Sequence, residues 1–548
     1  MKRITGLFAA LSVLSATLLS LPFLVPHSGF LALIGFIPLL FMDRIADELK
    51  VRRLWPWHYM TFVMWNTATT FWVCNATIGG GIFAILANSL QMSLVFGLFR
   101  LSKKKMSGTL PYIFLAAAWI AWERWYLTDA QISWPWLVLG NSFATSIKTI
   151  QWYEWTGTIG GSLWVWAANL GLYGILESIR SGSWRTRFNP LARAVSIISS
   201  FLVITVPIII SHAIFARYEE TADGLETVIL QPNLDPYEKF QALDREEQDS
   251  ILIRQIEPYL SARDDSAASP LLVLAPETFT GGLVTGSLGL GESMITFNSL
   301  LKGKDGVNLL FGATTNTVIP SPARPTPCAR QLRDNLWLES HNSAIITDGR
   351  GRNGIYHKSK LVVGVEMTPY PAVFRPLDDM LGGVMGRDVG QKERSTLVCE
   401  AFGQDGRTTR KIPIGCAICY ESVYGEFCTG YVKAGAQALA VITNDAWWGN
   451  TPGYRQHLSY SSLRAIETRR DIARCANTGI SAFINQKGEI TTKTSWWGRE
   501  TLEGTVNLNA EETFFVRHGD ITGRLCSFIF ILLLLSLTVK FIIREPHR

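Results

Sequence analysis

The chain has 548 residues with 51 Lys and Arg against 45 Asp and Glu, a net charge of +6, and 48% of its residues are hydrophobic. That length exceeds what one hydrophobic core organises. The small positive excess sits largely in short loops between apolar runs, which removes any argument for a nucleic-acid partner.

To about residue 217 the chain is rich in Trp, Phe and Leu. A bilayer core needs about 20 apolar residues per helix. Seven windows near that length centre on Leu11, Leu33, Met64, Leu90, Ala117, Ala168 and Val203, and an eighth spans residues 526–543. The expectation is an α-helical membrane region of about 8 transmembrane helices, 1 to 7 within 1–217 and the eighth at 523–543. The run at Leu11 follows Lys2 and Arg3 as in a signal peptide, but no small-residue cleavage site comes after it, so it is read as a helix. Every second loop is basic: Arg44, Lys50, Arg52 and Arg53; Lys103, Lys104 and Lys105; Arg180, Arg185, Arg187 and Arg193; and finally Lys540 with Arg544. Basic loops stay in the cytoplasm. The alternate loops hold Lys148 and little else of that sign, and Arg124 beside Glu123 reads as locally paired. The middle region, flanked by the seventh and eighth helices, is therefore expected on the outer side, which in a bacterium is the periplasm.

Between residues 225 and 512 short apolar runs alternate with polar helical stretches. Predicted strands at 227–230, 271–274, 308–311, 343–347, 412–419, 438–442 and 479–484, with helices at 238–259 and 456–474, describe an α/β domain. In such sheets functional groups gather where strands end. Glu277 follows one predicted strand, in Leu-Ala-Pro-Glu, and Cys419 closes another, in Ala-Ile-Cys-Tyr-Glu. Lys358 lies between them, in Tyr-His-Lys-Ser-Lys-Leu-Val.

A carboxylate, an ammonium and a thiol can carry acyl transfer. The thiol attacks as thiolate, and at an ordinary pKa of about 8.5 it needs a base, a role that a partly desolvated Glu277 can take. Lys358 can hold the negative charge that collects on a carbonyl oxygen under attack. Other readings stand beside this one. Cys416 and Cys419 form Cys-x-x-Cys, a redox or metal motif elsewhere, yet no second ligand pair follows, and a disulfide would disable a nucleophile. Six of the eight cysteines (328, 399, 416, 419, 428, 475) fall in the outer region, where oxidation is possible. His357 and His457 admit a Cys-His pairing, although His357 adjoins Lys358 and would face the other side of a strand. Lys360 competes with Lys358, and Cys416 with Cys419. No nucleotide loop or metal-ligand set is present, so no cofactor is expected.

These phrases, followed by Thr-Asn-Asp-Ala-Trp-Trp-Gly at 443–449 and Arg-Ala-Ile-Glu at 464–467, resemble the nitrilase superfamily. Three further stretches extend the likeness to almost the whole chain: Trp134-Pro-Trp-Leu-Val-Leu-Gly-Asn141, Gln151-Trp-Tyr-Glu-Trp-Thr-Gly157 and Val516-Arg-His-Gly-Asp520. With the membrane helices, the chain resembles the apolipoprotein N-acyltransferases, integral membrane enzymes that complete bacterial lipoprotein maturation. The resemblance implies a nitrilase-like αββα sandwich domain at 225–512 with Glu277, Lys358 and Cys419 as catalytic triad. It selects Lys358 over Lys360 by the spacing to Leu-Val, and Cys419 over Cys416 by the Tyr-Glu that follows. Glu366, Tyr420 and Glu421 match further family positions and are expected to support the triad. The implied reaction passes an acyl chain from a membrane phospholipid, through a thioester on Cys419, to the N-terminal amine of a diacylglyceryl apolipoprotein, in the bacterial inner membrane. Nothing in the sequence demands a partner subunit, so a monomer is expected.

One departure is Val363-Gly364-Val365-Glu366, where the family usually has Pro-Phe-Gly-Glu; the carboxylate keeps its spacing in an altered loop. Two apolar, Gly-containing loops, 279–295 and 367–385, suit the admission of lipid chains. The alternatives are a membrane-tethered amidohydrolase acting on a small amide and a noncatalytic membrane protein.

Overall fold

The computed structural model describes residues 2–186, 189–235, 244–262, 270–380, 385–402 and 408–543. The chain divides into two units, one holding Met1–Tyr218, Thr451–Ser459 and His518–Arg548, the other Glu219–Asn450 and Tyr460–Arg517.

The first unit is helical. Among the described residues six stretches are long and apolar enough to cross a bilayer: Arg3–Leu24, Gly29–Glu48, Ile78–Ser102, Tyr153–Arg180, Pro190–Arg217 and Ile521–Ile542. The predicted windows at Met64 and Ala117 also form helices, Trp55–Thr70 and Leu110–Thr128, but fall outside that group. The first has 16 residues and includes His58 and Asn66; the second carries Glu123 and Arg124. The window at Leu33 is interrupted rather than continuous, with a 3-10 turn at Gly29–Ile34 and an α-helix at Ile37–Glu48. Asn169 closes the gap: its Nδ2 donates to Ala32 O at 2.8 Å, and its Oδ1 accepts from Phe36 N at 2.8 Å. Backbone freed from a helix in an apolar medium needs such a partner. The same logic holds at Pro207, which has no N–H to give Val203 O; Trp164 Nε1 donates there instead, at 2.8 Å. Aromatic rings fill the centre, with Phe36 stacked on Trp166 at 4.3 Å and edge-on to Trp119 at 5.2 Å. Arg124 faces Asp520 at 3.9 Å.

The second unit is α/β. Its first sheet collects β1 (Gly224–Gln231), β2 (Leu271–Leu274), β3 (Thr280–Val284), β4 (Val307–Pro320), β5 (Arg330–Arg333), β6 (Leu336–Asp348), β7 (Asn353–His357) and β14 (Glu500–Asn507). The second collects β8 (Thr396–Phe402), β9 (Thr408–Ile418), β10 (Ala438–Thr443), β11 (Ile472–Ala476), β12 (Ala482–Ile484) and β13 (Ile490–Lys493). Strands β1, β2 and β4 run parallel, as do β9, β10 and β11, and antiparallel strands edge both groups. The sheets lie face to face, with the Cys475 thiol on β11 donating to Leu230 O on β1 at 3.2 Å. Helices Arg245–Ala262 and Glu292–Leu301 cover the first sheet through Ile251, Leu252, Ile256, Met294 and Phe297, which bury Val228, Val273 and Leu309. Helix Gly425–Lys433 packs on β9. This is the nitrilase-like α/β arrangement that the sequence implied.

Several predicted elements shift. The helix read at 456–474 runs instead from Pro452 to Thr468, and Ile472–Ala476 is a strand. Arg469 takes φ +48°, which ends the helix, and Arg470 turns inward to donate from Nε to Ala436 O at 2.9 Å. The helix read at 238–259 is described from Arg245 onward, since residues 236–243 lie outside the described set. The strand read at 479–484 shrinks to Ala482–Ile484.

Candidate active site

Glu277 stands just past β2, where the chain leaves its sheet. Ala275 N still donates to Leu310 O at 2.8 Å and Gly312 N to Pro276 O at 3.1 Å, so β4 holds the exit. The approach is close enough to require glycine: a Cβ at Gly312 would lie 2.5 Å from Glu277 Cα. Gly312→Ala is expected to lower stability by about 1–3 kcal/mol through overpacking, measured by thermal unfolding of the purified protein. An unchanged unfolding temperature would show that the exit yields.

Lys358 follows β7, its N donating to Asn342 O on β6 at 2.8 Å. Its side chain is 1% exposed, and the Nζ donates to Glu277 Oε1 at 3.1 Å and Glu366 Oε1 at 2.8 Å. Burial opposes the ammonium, but Glu277 and then Glu366 outweigh it and hold the group well above the ordinary lysine range. Asn342 Nδ2 donates to the same two oxygens, at 2.9 and 2.8 Å. Two carboxylates thus share one cation and one amide.

The altered loop before Glu366 is pinned. Glu366 N donates to Val362 O at 2.9 Å, Gly364 N to Met367 O at 2.8 Å and Val362 N to Glu366 Oε2 at 2.7 Å. Gly364 supplies the φ of +83° that this turn needs. Asp388 N donates to Glu366 O at 2.8 Å, and burial, then Glu366, push the Asp388 carboxyl up to about 6.

Cys419 begins the turn after β9 with φ +51°, a left-handed conformation that costs an L-residue roughly 1–2 kcal/mol. Glu421 holds that turn. Its Oε2 accepts from Ile418 N at 2.8 Å and Tyr431 OH at 2.9 Å; its Oε1 accepts from Ser359 N at 2.6 Å, Lys360 N at 3.1 Å and Tyr356 OH at 2.7 Å. One buried carboxylate therefore ties the lysine loop to the cysteine turn. Burial raises its carboxyl, and the Ile418 and Tyr356 donors work against that rise. Tyr420 is buried edge-on to Tyr424 at 5.1 Å. Burial above all, then Glu277, pushes the Cys419 thiol upward while Lys358 pulls the other way, so the resting sulfur is protonated.

The competing residues point elsewhere. Cys416 is wholly buried in β9, where burial pushes its thiol up, and all eight cysteines are free. His357 Nδ1 lies 2.7 Å from Ser343 Oγ, and its ring stacks on His341 at 4.1 Å. Burial, then His341, lowers His357 to about 4 and leaves it neutral. His457 belongs to the helical unit, 5.8 Å from the Trp136 ring. Lys360 Nζ sits over the Tyr424 ring at 5.1 Å. Among the described residues no group of His, Cys, Asp and Glu could hold a metal ion.

Both stretches read as lipid-admitting loops contain ordered pieces. The first holds β3 and a 3-10 turn at Thr285–Leu290. The second holds the helix Pro371–Met380, which is turned inside out: Arg375 and Asp378 are buried, while Val373 is 68% and Met380 84% exposed. Residues 381–384 lie outside the described set. Sequence reasoning did not find Asn342 or Asp388. Asn342 sits in the polar run 339–343 within a long strand, a weak signal that its place opposite Lys358 makes meaningful.

A family profile described as carbon-nitrogen hydrolase matches residues 326–514, and one described as apolipoprotein N-acyltransferase N-terminal domain matches 15–171. The apolipoprotein N-acyltransferase of Chlorobaculum tepidum is 28% identical over 506 residues, 91% of this chain and 90% of its own. That of Geobacter metallireducens is 26% identical over 531 residues, 94% of this chain and 92% of its own. Among solved structures, a carbon-nitrogen hydrolase from Helicobacter pylori covers 56% of this chain and 94% of its own at 14% identity and a TM-score of 0.33. The relatives match through the helical and the α/β unit alike, and one profile falls in each. On that footing the chain belongs to the apolipoprotein N-acyltransferase family, with an α/β unit of the carbon-nitrogen hydrolase type.

Proposed function

We propose that this membrane enzyme N-acylates lipoproteins through a thioester on Cys419. The sulfur attacks the carbonyl carbon of a phospholipid ester while Glu277 takes the thiol proton. Lys358 faces the charge that gathers on the carbonyl oxygen, and collapse expels a lysophospholipid, whose alkoxide recovers the proton from Glu277. The free amine of a diacylglyceryl-cysteine then attacks the thioester, gives its proton to Glu277 and leaves as an amide. Glu366 and Asn342 hold the lysine and the base in place, and Tyr420 and Glu421 hold the cysteine turn.

The observation that carries this reading is the buried lysine shared by two carboxylates, its loop tied through Glu421 to the turn that begins at Cys419. The apolar helices support a donor drawn from the bilayer. The alternation of basic loops supports a bacterial inner-membrane protein with eight spans at 1–217 and 523–543 and the catalytic region, 225–512, on the periplasmic side.

The test is intact mass spectrometry of the full chain after incubation with phospholipid alone. The expected result is a hydroxylamine-sensitive, acyl-sized adduct that disappears when a diacylated lipopeptide is added and the peptide gains the chain. No adduct, together with hydrolysis of a small amide, would move the assignment to an amidohydrolase.

A further inference from the structure

Thr443 ends β10 beside the cysteine. Ile442 pairs with Ile418 across the parallel ladder, so Thr443 and Cys419 leave neighbouring strands together, where hydrogen bonding by the Thr443 side chain pulls the Cys419 thiol down against its burial. The same hydroxyl donates to Asp445 Oδ1 at 2.8 Å. Asp445 Oδ2 in turn accepts from Arg474 Nη2 at 2.6 Å. All three residues are fully buried. Gly479 closes the other side, where a Cβ would lie 2.8 Å from Asp445 Oδ2. The acyl transfer described above gives none of these three residues a task.

A hydroxyl has one proton and two lone pairs. With its proton on Asp445, the Thr443 oxygen is free to accept the S–H of a resting thiol. A thiolate reverses the preference, because it attracts the hydroxyl proton and has none to give. Asp445 can release that hydrogen bond at small cost, since Arg474 already balances its charge.

We propose that Thr443 is a two-position partner of the reacting sulfur, accepting from the thiol at rest and donating to the thiolate during attack and departure. The Thr443 O–H bond stays intact throughout. In the transfer step the C–N bond forms, the amine proton goes to Glu277, and the C–S bond breaks with its electron pair on sulfur. Thr443 holds that anion until Glu277 returns the proton. The assignment rests on Cys419 as nucleophile, and it explains how a protonated resting thiol yields a usable leaving group without a permanent thiolate.

The test reads the sulfur directly. Iodoacetamide alkylation of Cys419 in the purified full chain is followed against pH by peptide mass spectrometry, which separates it from the other cysteines. Thr443→Val is expected to slow alkylation near neutrality about tenfold and to displace the profile upward by about one pH unit, the effect of one hydrogen bond to a charged sulfur. Thr443→Ser should restore the wild-type profile. Thr443→Ala, which removes the hydroxyl without adding bulk, should match valine and serves if valine does not fold. In turnover, kcat should fall with KM for phospholipid unchanged. A valine or alanine profile that overlays the wild type, or a serine profile that follows valine, overturns the proposal. Loss of the acyl adduct in wild-type protein would overturn the nucleophile assignment while leaving this alkylation result readable.

Discussion

Cys419→Ala is expected to abolish acyl transfer, a loss on the order of 10⁶-fold, with the fold retained. The sulfur is the atom that would carry the acyl chain, so no arrangement of the remaining groups replaces it. Alanine can take the positive φ of this position at a cost similar to cysteine, and Glu421 keeps its five donors because they come from other residues. The measurement is transfer of a fluorescent acyl chain from phospholipid to a diacylated lipopeptide, alongside thermal unfolding. A residual rate within tenfold of wild type would remove Cys419 from the reaction. Because burial and Glu277 push the thiol upward, the proposed reaction has the wild-type sulfur lose its proton as it attacks.

Lys358→Met is expected to cost at least about 10³-fold in kcat, since the cation proposed to face the developing oxyanion is gone. It should also destabilise the protein by about 3–5 kcal/mol, because Glu277 and Glu366 are left without the cation they share. The pH dependence gives a sharper signature. In the native protein the lysine pKa is raised above its value of 10.5 in the unfolded chain. Its contribution to stability is therefore fully present at neutral pH and is lost only as alkaline pH passes the folded value. In the methionine variant the two abandoned carboxylates raise each other's pKa, so that variant should gain stability as pH falls from neutral towards acid. Adding Glu366→Gln should restore much of the stability and little of the rate. A double variant that recovers the rate would mean that Lys358 serves the fold and not the oxyanion.

Much of the candidate site could be read from residue order because an apolar strand that ends in a reactive group is a local pattern. Leu-Ala-Pro-Glu277 and Ala-Ile-Cys419 each read as an apolar run ending in a reactive group, and β2 and β9 end at Leu274 and Ile418. What stayed hidden depends on distance in space. Asn342 meets Glu277 across 65 positions of chain, and Glu421 gathers donors from Tyr356 to Tyr431, so neither role has a local pattern. The helix that was read through Arg474 failed for another reason. Ile472, Ala473, Cys475 and Ala476 suit a helix or a buried strand, and the left-handed Arg469 decides between them. In the membrane region the break at Gly35 was hidden because its replacement partner, Asn169, lies in a later helix.

The protonated state of the resting sulfur has a consequence for how long the enzyme lasts. Thiolates attack peroxides and disulfides, and a reactive cysteine is ordinarily the first residue lost outside the reducing cytoplasm. In the reaction proposed above, Cys419 is charged only for the duration of a turnover. On the periplasmic face proposed above, that chemistry would spare Cys419 from sulfenic acid between substrates and would leave the enzyme independent of a dedicated reductant.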